Sequence, residues 1–313
     1  MGRKKIALIG GGQIGGILAL LCAQKQLGDV VMLDIPKMEG TVKGKMLDIT
    51  ESRGVGGYDA SLEGTTNYSD IAGADVVIIT AGLPRKPGMS RDDLLDINVG
   101  IISNVAKEVR EHCPNAFCII ITNPLDSMVY AFRKVTGFSK KMVCGMAGVL
   151  DTSRFRSFIA MELNVSIEDV AATVLGGHGP TMVPLPRLTT VGGVPLTELM
   201  DADTIEAISK RTREAGTEIV KLLGNGSAFF SPAASAIAMA ESYLKDRKRV
   251  LPIAAYLEGE YDIDGYYLGV PAIIGSDGVE KVLEIKLTDS EQGLLANSLD
   301  AVKVAVNDVD SRI

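Results

Sequence analysis

Short unbroken apolar runs punctuate the first half of the chain at Lys5 to Ile9, Val30 to Asp34, Val76 to Thr80 and Phe117 to Thr122. Between them lie stretches with helical spacing, near residues 14–27 and 91–112. A continuous β-branched run marks a strand buried on both faces, and strands that alternate with helices predict a parallel sheet wound by right-handed crossovers. After about residue 150 the pattern changes to longer helices and more irregular strands. There Asp203 to Leu223 puts Ile205, Ile208, Ala215, Ile219 and Leu222 on one face, and the last segment does the same with Leu295, Leu299, Val302, Val306 and Val309. Such stripes serve a core or a subunit contact. No repeat, low-complexity tract or flexible linker intervenes, so the two halves are expected to pack closely.

Composition narrows the classes of function. A chain of 313 residues with 46% hydrophobic content supports a sizeable core and roughly two domains of ~150 residues. A net charge of −7, with no long basic run, argues against nucleic acid as a partner, because phosphate neutralisation needs clustered Lys and Arg. Cys22, Cys113, Cys118 and Cys144 form no CxxC pair and lie in apolar stretches. They read as reduced core thiols, which suits a cytoplasmic protein and provides no metal site. Arg3-Lys4-Lys5 followed by Ile6 to Ala23 has the outline of a secretory leader, but three consecutive glycines interrupt it. No other segment reaches the ~18 uninterrupted apolar residues of a membrane span.

The most specific motif is Ile9-Gly10-Gly11-Gly12-Gln13-Ile14-Gly15, which follows a predicted strand, opens a helix and precedes an acid, Asp34, at the end of the next strand. This is the full context of a dinucleotide site. Gly10 allows the tight turn, Gly12 lets the backbone approach a pyrophosphate, Gly15 allows close helix packing, and the helix N-terminus supplies amide donors. Asp34 would accept from the adenosine ribose hydroxyls and repel a 2′-phosphate, which favours NAD over NADP; Lys37 nearby weakens that preference.

Ligands collect at the carboxyl edge of such a sheet, and the loop after the third apolar run, Leu83-Pro84-Arg85-Lys86-Pro87-Gly88-Met89-Ser90-Arg91, carries two arginines there. Each guanidinium can hold a planar anion by two parallel hydrogen bonds, so the pair suits a small molecule with two acidic ends. A solvated surface loop is the plain alternative. Ser90 followed by Asp93 resembles a capping box, which would set Arg91 in the first helical turn and leave Arg85 on the loop. The chain has two histidines. His112 sits at a helix end, where a cation suits the dipole and a structural use is favoured. His178 lies in Leu175-Gly176-Gly177-His178-Gly179-Pro180, where glycines let backbone and ligand approach closely; a turn histidine is the alternative. Asp151 and Arg154 stand three apart at a helix start and share a face, as a local ion pair or helix cap would also do. Asn123, before Pro124, ends another apolar strand at the same edge, a place where a simple turn is common.

Taken in order and spacing, Gly-Gly-Gly-Gln-Ile-Gly, Leu-Pro-Arg-Lys-Pro-Gly-Met-Ser-Arg, Thr-Asn-Pro-Leu-Asp, Leu-Asp-Thr-Ser-Arg and Gly-Gly-His-Gly closely resemble the lactate/malate dehydrogenase superfamily, and most nearly its lactate-dehydrogenase-like malate dehydrogenases. The resemblance covers essentially the whole chain. It implies a Rossmann-type doubly wound NAD-binding domain over residues 1–148, followed by an α+β substrate and catalytic domain over 149–313. It further implies His178 as acid/base, Asp151 as its orienting carboxylate, Arg154 as the clamp on the C1 carboxylate, and Arg91 as the group that polarises the reacting carbonyl. Arg85 stands where lactate enzymes usually have Gln. Asn98, Asn123, Ile121 and Thr122 match positions that touch cofactor or substrate, together with Gly10, Gly11, Gly12, Gln13, Ile14, Gly15 and Asp34. The expected activity is reversible oxidation of malate to oxaloacetate, in a homo-dimer or homo-tetramer with no resident metal. A lactate or other 2-hydroxy monocarboxylate dehydrogenase is the nearest alternative. A non-catalytic NAD-responsive binding protein is another.

Overall fold

The computed structural model describes residues 2–83, 91–224 and 226–313, without the side chains of Arg91 and Asp92. Arg85 and the Ser90 half of the expected capping box therefore lie outside the described residues.

The first half runs β1 (Lys5–Ile9), α1 (Gln13–Gln24), β2 (Asp29–Leu33), α2 (Glu39–Gly56), β3 (Leu62–Thr65), β4 (Val76–Ile79), α3 (Arg91–His112), β5 (Phe117–Ile120), α4 (Leu125–Thr136) and β6 (Val143–Gly145). Next come α5 (Gly148–Leu163), the short strands β7 (Val170–Ala171), β8 (Val174–Leu175), β9 (Val183–Pro184), β10 (Thr190–Val191) and β11 (Val194–Pro195), and then α6 (Leu196–Leu199) and α7 (Ala202–Leu223). The chain closes with α8 (Phe230–Leu244), β12 (Arg249–Glu258), β13 (Asp264–Gly275), β14 (Gly278–Val282) and α9 (Asp289–Asp310).

The strand order of the main sheet is β14-β13-β12-β6-β5-β4-β1-β2-β3, with β1 to β6 mutually parallel. That portion is the doubly wound arrangement, and its order reverses direction between β1 and β4, the switch point beyond whose carboxyl ends such sheets bind their ligands. Successive residues of β1 enter opposite cores: Ile6 and Leu8 pack with Val30, Met32, Ile78 and Phe117, whereas Ala7 and Ile9 pack with Val31, Leu33, Val77 and Cys118. Burial on both faces explains why these strands read as unbroken apolar runs rather than alternating ones.

The second half contributes more sheet than its irregular texture suggested. Strand β12 joins antiparallel to β6 through Ala254 and Gly145, and β13 and β14 extend the sheet beyond it. One continuous sheet thus links the two halves. The run Val170 to Leu175 instead splits into two short strands in separate small sheets, β7 beside β10 and β8 beside β9.

Helix boundaries follow local chemistry. Asp201 accepts from the Thr204 amide and α7 ends at Gly224 in the left-handed region. Thr288 and Glu291 form a reciprocal capping box that starts α9. The expected stripes hold for Ile205, Ile208 and Ala215, and for Leu295, Val302, Val306 and Val309, which are buried; Leu222 is 80% exposed. Among the described residues no helix is long and apolar enough to cross a membrane.

Candidate active site

Strand β1 runs straight into the glycine loop. Gly10 has φ +112°, and a Cβ there would lie 2.5 Å from Thr80 Oγ1, so both its conformation and the closeness of β4 exclude larger residues. A Cβ at Gly15 would stand 2.1 Å from the Gly10 carbonyl oxygen. Gly12 is the N-cap of α1, with no side-chain cap and no acid in the first helical turn. Among the described residues a Cβ on Gly12 would meet nothing within 4 Å, which leaves space above the uncapped N-terminus that starts at Gln13 and Ile14. Orphan amides beside open space suit the diphosphate of a dinucleotide. Asp34 reaches back across the loop, its Oδ2 accepting from the Gly11 amide at 2.7 Å.

Lys45, on α2, was not anticipated. Its Nζ donates to the carbonyls of Gly11 at 2.7 Å and Gly12 at 2.8 Å, pinning the outer side of the loop. Burial lowers the affinity of this amine for its proton, and Asp34 pulls the other way. An isolated Lys on a polar helix carries no sequence signal for such a role.

At the carboxyl ends of β4 and β5 the loops are tied to one another. Asn98 is 1% exposed; its Oδ1 accepts from the Leu83 amide at 2.7 Å, and its Nδ2 donates to the carbonyls of Leu83 and Asn123 at 3.2 and 2.8 Å. Both amide hydrogens are spent on backbone, so what Asn98 offers the site is the placement of two loops. Thr122 Oγ1 donates to the Ala81 carbonyl at 2.7 Å, and the Ile121 amide donates to Ile79 at 2.8 Å. Asn123 is exposed at this edge and precedes a cis peptide to Pro124.

His178 follows β8 by way of Gly176 and Gly177. Its Nδ1 lies 2.9 Å from Asp151 Oδ2. Asp151, on the first turns of α5, is 2% exposed, and its other oxygen lies 3.4 Å from Arg154 Nη1. Burial alone would strip the proton from His178, and Arg154 acts in the same sense. Asp151, joined by Asp126, outweighs them, so His178 holds its proton more tightly than usual. Arg154 Nε is buried without a hydrogen-bond partner among the described residues, and the guanidinium borders a cavity of about 270 Å³ between α5 and α7. A guanidinium with unused donors beside such a space can take a carboxylate.

Asp126 was also missed, although it stands inside the Thr-Asn-Pro-Leu-Asp motif. It is 8% exposed, its Oδ2 accepts from the His178 backbone amide at 2.9 Å, and its Oδ1 is buried without a partner among the described residues. Burial pushes this carboxyl up to about 6, against the opposing pull of His178. An acid in the first turn of a helix that starts at the sheet edge is the signal that could have found it. Chemically, the assembly offers a proton carrier, a carboxylate that fixes its tautomer, and an anion-binding guanidinium, all downstream of a dinucleotide cradle. Helix α3 begins at Arg91 as expected, but the side chains of Arg91 and Arg85 are not among those described. His112 ends α3, as expected, and its Nε2 lies 3.6 Å from Glu108.

Comparison with known proteins places these features in a group. Residues 4–145 match the family described as lactate/malate dehydrogenase, NAD binding domain, and residues 148–312 match lactate/malate dehydrogenase, alpha/beta C-terminal domain. The chain is 61% identical over 308 residues to the malate dehydrogenase of Myxococcus xanthus, covering 98% of each. It is 56% identical over 316 residues to that of Geobacter sulfurreducens, covering 98% of this chain and 99% of the relative. Among solved structures it resembles Cryptosporidium parvum malate dehydrogenase with a TM-score of 0.96 and 47% identity, over 99% of both chains. The C. parvum lactate dehydrogenase complexed with lactic acid and nicotinamide adenine dinucleotide gives 0.95 and 48%, again over 99% of both. Backbone shape is thus common to malate and lactate enzymes.

Proposed function

The chain belongs to the lactate/malate dehydrogenase family, and from that premise we propose that it is an NAD-dependent malate dehydrogenase that interconverts (S)-malate and oxaloacetate, with His178 as acid/base. The observation that carries this reading is the 2.9 Å contact between His178 Nδ1 and Asp151 Oδ2, with the under-paired Arg154 guanidinium beside it. Near-full-length relatives named malate dehydrogenase support the choice of substrate.

NAD, when bound, supplies the acceptor for the hydride that leaves C2 of malate. Neutral His178 takes the hydroxyl proton at Nε2, while Asp151 accepts from Nδ1–H, holds that tautomer and stabilises the imidazolium that results. Reduction of oxaloacetate begins with His178 protonated. Arg154 binds the C1 carboxylate by paired hydrogen bonds, which fixes the carbon that reacts. Arg91 bears part of the negative charge that develops on the carbonyl oxygen. Gly10, Gly11, Gly12, Gln13, Ile14 and Gly15 cradle the diphosphate, Asp34 takes the adenosine ribose, and Asn98, Ile121, Thr122 and Asn123 shape the nicotinamide side.

Arg85 selects the diacid. Enclosing a second carboxylate without a counter-charge costs about 3–5 kcal/mol. At about 1.4 kcal/mol per decade, that is about two to three and a half orders of magnitude in preference. The test compares kcat/KM for oxaloacetate and pyruvate, by NADH absorbance, before and after Arg85→Gln. We expect oxaloacetate to lead by at least about a hundredfold and the ratio to collapse in the variant. A wild-type preference for pyruvate would favour the monoacid reading instead. Four unpaired, buried thiols support a cytoplasmic setting, and exposed Leu47 and Val55 on α2 support assembly as a homo-dimer or homo-tetramer.

A further inference from the structure

The turn that carries His178 is gripped from two sides by elements far away in the chain. A Cβ at Gly176 would stand 2.6 Å from Ser298 Oγ; at Gly177 it would stand 2.8 Å from Val302 Cγ2 and 3.1 Å from Asp126 Oδ2. The two glycines let α9 and the start of α4 close on the backbone. Ser298 Oγ accepts from the Gly177 amide at 2.8 Å, and Asp126 Oδ2 accepts from the next amide, that of His178, at 2.9 Å. Ser298 is fully buried and itself donates to Thr181 Oγ1 at 3.3 Å.

We infer that Asp126 is a positioning residue for His178: with Ser298 it fixes two consecutive amides and hence the direction of the imidazole, and it holds a carboxylate against the backbone of the same residue. The inference rests on the reading of His178 as acid/base. A neutral acceptor would satisfy the amide, yet the protein buries a carboxyl there with one oxygen unpaired, which is an unfavourable arrangement to hold. Among the described residues, the charged groups that act on the ring are Asp151 and Arg154 from α5 and Asp126 from α4; α9 brings the uncharged Ser298 and Val302. Asp126 therefore acts as a second carboxylate on His178 beside Asp151, and partly offsets Arg154.

The chain has only two histidines, His112 and His178, so their ring signals can be titrated by NMR and assigned by the resonance lost in His178→Asn. This needs no turnover. Asp126→Asn keeps an oxygen for the His178 amide and removes the charge; His178 should then lose its proton about half to one pH unit lower. The acidic limb of malate oxidation should move the same way. Ser298→Ala keeps the charge and should lower kcat about threefold to tenfold while leaving the His178 titration in place. A folded Asp126→Asn protein whose His178 titrates as in the wild type overturns the inference. If that variant does not fold, Asp126→Ser provides the same comparison. Absence of malate turnover in the wild type would sink the functional reading alone, because the titration is read without catalysis.

Discussion

Nδ1 of His178 and Oδ2 of Asp151 stand 2.9 Å apart, although one belongs to a turn after a two-residue strand and the other to a helix 27 positions earlier. The fold brings them together by seating α5 against β8. Asp151→Asn should preserve that proximity and lose the stabilised imidazolium. We expect kcat to fall by about 10²–10⁴ with little change in NADH affinity, read by steady-state kinetics and NADH fluorescence. A loss under tenfold would remove Asp151 from the proton-transfer unit.

The raised proton affinity of His178 sets the direction of the pH profiles. Malate oxidation needs the neutral ring, so kcat/KM should rise with pH through an apparent value above the ordinary 6.5 of histidine. Oxaloacetate reduction should fall over the same interval. By linkage, a raised folded-state value stabilises the protein below the unfolded value, and that contribution fades as pH climbs through the folded one. Parallel profiles for the two directions would contradict this assignment.

Asp126 makes a complementary prediction about stability. Its carboxyl sits at about 6 in the fold, against 3.8 ordinarily, so the folded state binds the extra proton between those values. The associated stability is present below about pH 4 and is lost as pH rises through about 6. Asp126→Asn should therefore raise the melting temperature at pH 8, by at most the equivalent of about 3 kcal/mol, and leave it nearly unchanged at pH 4. Calorimetry at the two pH values checks the sign.

Arg154→Lys replaces a planar fork by a point charge. KM for malate should rise at least about tenfold, since hydrogen bonds to a charged group contribute roughly 1.5–3 kcal/mol. The dissociation constant of NADH should stay within about twofold of wild type. Equal weakening of both ligands would mean a general collapse of the site.

Gly15→Ala tests the cradle. An added methyl would press on the Gly10 carbonyl, part of the backbone that turns the loop, and cannot be relieved by a rotamer change. NADH binding should weaken by at least about tenfold, with a fall in melting temperature; Gly12→Ala, facing open space, should weaken NADH binding and leave melting nearly unaltered.

Much of this was legible in residue order. The parallel strands could be read because each is buried on both faces and so forms an unbroken apolar run, as Val76 to Ile79 does. The glycine loop was legible because backbone conformation and close approach leave no other residue for Gly10 or Gly15. His178, Asp151 and Arg154 could be picked out one by one, and their convergence rested on resemblance, since no local spacing joins a turn to a helix across the fold. Strands β12 to β14 were hidden because long antiparallel partners resemble any other mixed segment until the edge they pair with is known. Asp126, Ser298 and Lys45 went unnoticed for a related reason: each acts by hydrogen-bonding backbone that is remote in the chain, and such contacts leave no periodicity behind.

Ser298 sits on the final helix, and its hydroxyl closes one side of the turn that presents His178. During translation that helix, Asp289–Asp310, emerges long after the dinucleotide cradle between β1 and α1 has been made. A growing chain can therefore assemble its nucleotide fold well before its proton shuttle is locked in place.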